Sequence, residues 1–317
     1  MKVQTQIQYN KPWILQRADP YICRHTDGNY YFTASVPEYN GIFIRRSNTL
    51  DGISRAEETV LWRKHEKGPM SYHIWAPELH YLEGKWYLYF AGGEADDVWR
   101  IRPYVLECAE EDPVTGTWIE KGRMQSAEED EFSFRAFSLD ATVFENKGKY
   151  YYVWAEKTGV GKLISNLYIA EMASPYKLKT VQVLLTTPDY DWERAGLWVN
   201  EGPSVLKKNG RIYLTYSAGE TGIQYCMGML TAEEDADLLD PRAWKKERYP
   251  VLKSVPEKGI YGPGHNSFTV DEEGNDICVY HARTRKEIDG NPLYDPNRHT
   301  MLMKLRWDEA GYPHFEV

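Results

Sequence analysis

Ser138 to Ala155 reads SLDATVFENKGKYYYVWA. A carboxylate at Asp140 precedes the short β-branched and aromatic run Thr142, Val143, Phe144. Asn146 to Lys149 (NKGK) is a turn signal, with Gly148 where a positive φ is needed. Tyr150 to Trp154 is an aromatic run that favours a strand. Two strands joined by a tight glycine turn make a β-hairpin.

The same unit occurs five times. Ala18 to Ser35 turns at Gly28, Trp75 to Gly92 at Gly84, and Ser138 to Ala155 at Gly148. Asn200 to Ala218 turns at Gly210, and Gly264 to Ala282 at Gly274. The steps from Gly28 to Gly84, Gly148, Gly210 and Gly274 are 56, 64, 62 and 64 residues. A hairpin-based repeat of that length is too long for most solenoids and suits a four-stranded propeller blade with generous loops. The expected fold is therefore all-β: a five-bladed β-propeller of four-stranded antiparallel blades around a central channel, with residues 1–317 forming one such domain. Between the hairpins, Met1 to Trp13 reads as a lead-in that docks on a blade. Leu50 to Trp62 and Trp118 to Arg135 read as polar or acidic connections, and Ala232 to Leu239 as one short helix.

Composition agrees and excludes. Hydrophobic residues make up 42% and charged residues 27%, so an ordinary core is available. The net charge of −9 argues against nucleic acid and anionic membranes as partners. No apolar stretch approaches the roughly 18 residues that a membrane-spanning helix needs. The 24 Tyr and 11 Trp serve sheet packing and also offer faces for sugar rings. The N-terminal stretch MKVQTQIQYNKPW lacks an apolar signal core, and Cys23, Cys108, Cys226 and Cys278 are scattered without metal spacing. These features together lead to the expectation of a cytoplasmic protein with reduced cysteines.

In a propeller the innermost strands begin around the channel, so equivalent repeat positions converge there. Those positions hold Asp19, the Ala76–Pro77 step, Asp140, Glu201 (one place earlier, before Gly202–Pro203) and His265. Three carboxylates from different blades thus face one funnel. Crowding raises the pKa of at least one of them. A proton donor and a proton acceptor in one pocket are the equipment of glycosidic hydrolysis.

The motifs RADPYI, WAPEL, SLDATVF, NEGPSV, GPGHNSF and HAR, in this order, resemble glycoside hydrolase family 43 across the whole chain. That family comprises five-bladed propeller arabinofuranosidases, xylosidases and arabinanases. The longer match FRAFSLDATVFENKGKYYYVWAE is most similar to the exo-acting α-L-arabinofuranosidases. The resemblance implies an inverting hydrolase with Asp19 as general base, Asp140 as the residue that orients the acid and tunes its pKa, and Glu201 as general acid. No cofactor is implied for the chemistry. A calcium or another ion in the channel, facing His265 through waters, is implied; a hydrogen-bonding role for His265 is the alternative, since calcium prefers oxygen ligands. Trp75, Trp99 and Trp198 are expected to wall the sugar subsite, or else to pack. Arg283 has two readings, a clamp on a sugar hydroxyl or neighbouring carboxylate, and a structural ion pair. The expected substrates are arabinose-containing oligosaccharides of arabinan or arabinoxylan. A β-xylosidase and a non-catalytic sugar-binding propeller are the rival readings.

Overall fold

The structure is a computed structural model that describes residues 7–159 and 162–317. Its strands form five antiparallel sheets arranged as blades. Blade one runs Ala18–Arg24, Tyr30–Ser35, Gly41–Ser47, Thr59–Arg63 from the inside outward. Blade two is Tyr72–Leu82, Lys85–Glu94, Asp97–Cys108 and Trp118–Arg123. Blade three is Ser138–Asn146, Lys149–Thr158 and Ile164–Ser174, with its outer place shared by Lys177–Leu178 and Val183–Thr186. Blade four is Asn200–Lys208, Arg211–Ala218, Cys226–Glu233 and Lys245–Lys246. Blade five takes Tyr261–Val270, Asp276–Arg283 and His299–Lys304 from the end of the chain, and its outer strand, Pro12–Ile14, from the beginning. The expected lead-in therefore closes the ring, by pairing with His299–Lys304. Its first six residues lie outside the described ones.

The hairpin turns follow from their residues. In blades two, three and four the turn has two residues between the paired positions Leu82 and Lys85, Asn146 and Lys149, Lys208 and Arg211. Both central residues have positive φ, as in Lys147 at 52° and Gly148 at 76°. That is the turn whose twist matches paired strands, and glycine adopts it without steric cost.

Three expectations about connections are corrected. Thr59–Arg63 and Trp118–Arg123 are outer strands, not loops. Edge strands are half exposed and lack the alternation that marks inner ones. Ala232 to Leu239 does not form a helix: Thr231 and Ala232 pair with Tyr213 and Ile212, so the strand runs on to Glu233 before the chain turns. The pairing partner outweighs local helix preference.

The inner strands share a further device. Each carries one extra residue relative to its partner strand, between Ala18 and Tyr21, Trp75 and Glu78, Leu139 and Ala141, Glu201 and Ser204, and Gly264 and Ser267. At each bulge one residue has a left-handed backbone: Asp19 (52°), Ala76 (45°), Asp140 (46°), Gly202 (54°) and His265 (44°). For the four residues with a Cβ this costs about 1–2 kcal/mol each. In blades one, two and five the freed amide is taken by the second strand of the preceding blade. Asp19 donates to His281 Nδ1 (3.0 Å), Ala76 to Ser35 Oγ (2.8 Å) and His265 to Ser217 Oγ (2.6 Å).

Two glycines separate turn strain from bulge strain. A Cβ on Gly148 would meet nothing within 4 Å, whereas one on Gly202 would meet the His265 ring at 3.1 Å. Gly148→Ala should cost ~1 kcal/mol, from its φ alone. Gly202→Ala should cost about 2–4 kcal/mol, because overpacking adds to the strain. Urea unfolding midpoints compare the two, and equal losses would contradict the account.

Candidate active site

The bulges bend the inner strands where they reach one mouth of the channel, and a cavity of about 370 Å³ lies there. Asp19, Asp140, Glu201 and His265 all line it, as does Trp75. Glu201 sits one residue before the blade-four bulge, at the position that Trp75 holds in blade two and Leu139 in blade three. The repeat thus places an acid, an indole and an alkyl group at equivalent points of one wall.

His265 is the hub of the acids. Its Nδ1 lies 3.2 Å from Asp19 and 3.8 Å from Asp140. Burial opposes its protonation, but Asp19, Asp140 and Glu201 together raise its pKa. Arg298 supplies a second cation, with Nη1 3.5 Å from Asp19 and Nη2 donating to Tyr39 Oη at 2.6 Å. Asp19 is buried, which works against ionisation. The charges of His265 and Arg298, with His281 beside them, overcome that burial and hold its carboxyl well below the usual range. His281 itself is pushed down to about 4 by burial, against the pull of Asp19. Its Nδ1 accepts the Asp19 amide, so its 3.3 Å approach to Asp19 Oδ1 is a close contact rather than a donated bond.

The other two acids move the opposite way. Burial raises Asp140 to about 8, with Glu201 and Asp19 adding to the rise and His265 opposing it. Burial also raises Glu201, and Asp19 adds to that; the Tyr225 hydroxyl, His265 and Lys157 pull it back. Tyr225 Oη donates to Glu201 Oε1 at 2.8 Å and stacks on His281 with ring planes 3° apart. Near neutral pH this arrangement holds one carboxylate ionised and keeps a proton on the Asp140–Glu201 pair.

Blade four is braced behind Glu201 by a buried carboxylate. Glu193 is fully buried and accepts from Asn200 Nδ2 (2.9 Å), Tyr216 Oη (2.9 Å) and the Asp189 and Tyr190 amides. Lys246 Nζ lies 2.7 Å away. Buried charge is tolerated only when paired and hydrogen-bonded, and Glu193 is both. Asn200 is the immediate neighbour of Glu201, so this network fixes the backbone that carries the acid.

The structure separates the remaining sequence-predicted residues. Trp75 and Trp99 line the cavity with Phe137, Leu197 and Leu293. Trp198 is not among the lining residues; Arg194 and Lys162 lie over its ring at 4.8 and 5.2 Å. Arg283 also lies outside the lining. It is buried, 2.7 Å from Asp295 Oδ1, and donates to the Pro292 carbonyl, which is its structural reading. The arginine in the cavity is Arg298, which lies in the loop before the third strand of blade five and carries no hairpin signal. Lys157, Tyr225 and His281 were likewise passed over; each lies at the end of a hairpin strand or just before one, where the repeat itself points.

The expected channel ion does not fit these groups. Among the described residues no three His, Cys, Asp or Glu side chains are placed to hold a metal. His265 is turned by Nδ1 toward two carboxylates and favours its protonated form, the opposite of a neutral ligand.

Comparison with known proteins places this geometry. Residues 9–313 match the family model described as glycosyl hydrolases family 43. An extracellular exo-α-(1→5)-L-arabinofuranosidase of Streptomyces chartreusis is 53% identical over 285 residues, 90% of this chain and 85% of that protein. One of the same name from Streptomyces avermitilis is 47% identical over 312 residues, 98% of this chain. The chain spans only 64% of that protein's length. The crystal structure of an α-L-arabinofuranosidase from Lactobacillus brevis is 52% identical, with a TM-score of 0.91 over 97% of this chain and 96% of that one. The two Streptomyces names overturn the expected cytoplasmic location, since both proteins are extracellular. The cysteines do not oppose this correction. All four are free; three are buried and Cys23 partly so, and burial raises the thiol pKa of each, so they carry no mark of a reducing compartment. With three acids gathered on bulged inner strands and the match running from residue 9 to residue 313, the chain belongs to glycosyl hydrolases family 43.

Proposed function

We propose that this chain is an inverting exo-α-L-arabinofuranosidase that releases terminal arabinofuranose from arabinan or arabinoxylan oligosaccharides. The names of the Streptomyces relatives make an α-1,5 linkage the first to test. The observation that carries the reading is the opposite electrostatic fate of two acids in one cavity. Asp19 is held ionised, while Glu201 is shifted toward its protonated form. Asp19 acts as general base on a water, and Glu201 protonates the departing glycosidic oxygen with the carboxyl oxygen that Tyr225 leaves free. Asp140 orients Glu201 and shares its proton. Trp75 and Arg298 line the cavity, and each has a buried N–H without a protein partner.

Inversion needs room for a water between base and anomeric carbon, a carboxyl separation of roughly 6.5–9.5 Å. Proton NMR of the nascent product from a 4-nitrophenyl α-L-arabinofuranoside, read before mutarotation, should show β-arabinose first. Release of α-arabinose would make Asp19 a nucleophile, and faster cleavage of the β-xyloside would transfer the reading to a xylosidase.

Glu201→Gln should lower kcat on arabino-oligosaccharides by about 10²–10⁴-fold, the usual worth of a positioned acid. An activated aryl glycoside should suffer far less, because its leaving group needs little protonation. Equal losses on both would remove Glu201 from that role.

Asp140→Asn should move the basic limb of the pH–rate profile to lower pH. The limb marks loss of the Glu201 proton, and a neighbouring negative charge helps to hold that proton. Taking the charge away therefore lets it leave sooner as pH rises. An unmoved limb with an unchanged rate would reduce Asp140 to a turn residue.

A further inference from the structure

Beyond the cavity, the mouth of blade two carries large side chains that ordinary packing leaves open. Trp99 is 50% exposed, Tyr294 49% and Tyr72 39%. All three meet around one residue, His73. Its ring lies 5.0 Å from that of Trp99, 6.1 Å from Tyr294 in a stacked arrangement and 4.4 Å from Tyr72. On its inner side His73 stacks on Trp75 at 4.4 Å, and Trp75 lines the cavity. A buried stack of Trp75 and His73 thus joins the cavity wall to the half-exposed rings of Trp99 and Tyr294.

His73 also ties the pieces together. Its Nδ1 stands 2.9 Å from the Val98 carbonyl, which can only accept, so Nδ1 carries the proton. Its Nε2 then accepts from the Tyr294 hydroxyl at 3.1 Å. Val98 and Trp99 belong to the hairpin extension of blade two, and Tyr294 to the loop inside blade five. Burial keeps His73 below the usual histidine range, in the neutral form that this pairing requires. One imidazole thus ties the hairpin extension of blade two to the loop inside blade five. Such a construction is unneeded for a wall of the cavity alone.

We propose that the half-exposed faces of Trp99 and Tyr294 form a platform for the saccharide unit on the leaving-group side of the scissile bond, with the buried His73 as its positioning residue. The proposal rests on the reading of the cavity as a site for a terminal arabinofuranose. The occupant follows from continuity. Trp99 both lines the cavity and stands half exposed, so the rest of a chain whose terminal sugar fills the cavity can pass over its face. Half-exposed aromatic faces there bind the C–H faces of a neighbouring sugar ring at little conformational cost.

The test compares substrates that do and do not reach the platform. Tyr294→Ala and Trp99→Ala should lower kcat/KM on α-1,5-arabinotriose by about tenfold, mainly through KM. Competitive inhibition by free L-arabinose, which fills the cavity alone, should stay within about twofold for Tyr294→Ala. Tyr294→Phe should recover most of the trisaccharide activity, since the ring face is retained. His73→Ala should act on KM in the same direction as the two platform changes. A trisaccharide KM unchanged in Tyr294→Ala and Trp99→Ala would overturn the platform, as would equal weakening of arabinose and arabinotriose. If the unaltered protein cleaves no arabinoside at all, the reading of the cavity fails, and that outcome is distinct from failure of the platform.

Discussion

Every inner strand gives up one ladder hydrogen bond at its bulge, and the rest of the site depends on how that loss is made good. An orphaned buried amide costs about 1–3 kcal/mol. In blades one, two and five the amide is taken by a side chain on the second strand of the preceding blade: His281, Ser35 and Ser217. These three hold equivalent places in their hairpins, opposite Gly264, Ala18 and Glu201. In blade four the Gly202 amide is met by the Asp140 carboxylate of blade three. The bulge therefore does two things at once. It turns a strand residue toward the channel mouth, and in blades one, two, four and five it locks the blade to the one before. Left-handed backbone at Asp19, Asp140 and His265 is strain that only such over-determined surroundings sustain.

That lock also sets the electrostatics. His281 spends its Nδ1 on the Asp19 backbone and so stays neutral, which leaves the Asp19 carboxylate to be stabilised by His265 and Arg298. Asp140 has His265 farther off, at 3.8 Å, and there burial prevails. Besides His265, Lys157 pulls on Glu201, and burial lowers the pKa of Lys157 itself. Three acids that look alike in the sequence are thus divided by their counter-charges rather than by their own chemistry. Two cations beside one acid make a base, and their scarcity beside the other two makes a proton store.

The hairpins, their glycine turns and the convergence of Asp19, Asp140, Glu201 and His265 were legible because each blade repeats them. The one-residue offset of Glu201 was legible as well, and the bulge explains it: the left-handed place in blade four belongs to Gly202, whose missing Cβ leaves space for the His265 ring. The outer strands Thr59–Arg63 and Trp118–Arg123 were not legible, since a half-exposed edge carries no alternating pattern. Between two arginines the sequence favours Arg283, which stands in a motif on a strand. The cavity uses Arg298, which is brought in by the fold of the loop around Asp295.

The same division runs through the cavity itself. Its charged floor comes from the repeat: Asp19, Asp140, Glu201 and His265 stand at or beside the inner-strand bulges. Much of its apolar rim comes from loops outside the paired hairpins: Phe137 before blade three, Leu197 before blade four and Leu293 within blade five. Trp99 is added by a hairpin that outgrows its blade. A repeat constrains what five blades must share, which is ring closure and the bulges that aim the acids. Segments that occur once are free of that constraint and can change without loosening the ring. Chemistry is therefore readable from the periodic part of this chain, while the choice of sugar and of leaving group is written in its aperiodic part, where only the folded mouth brings the residues together.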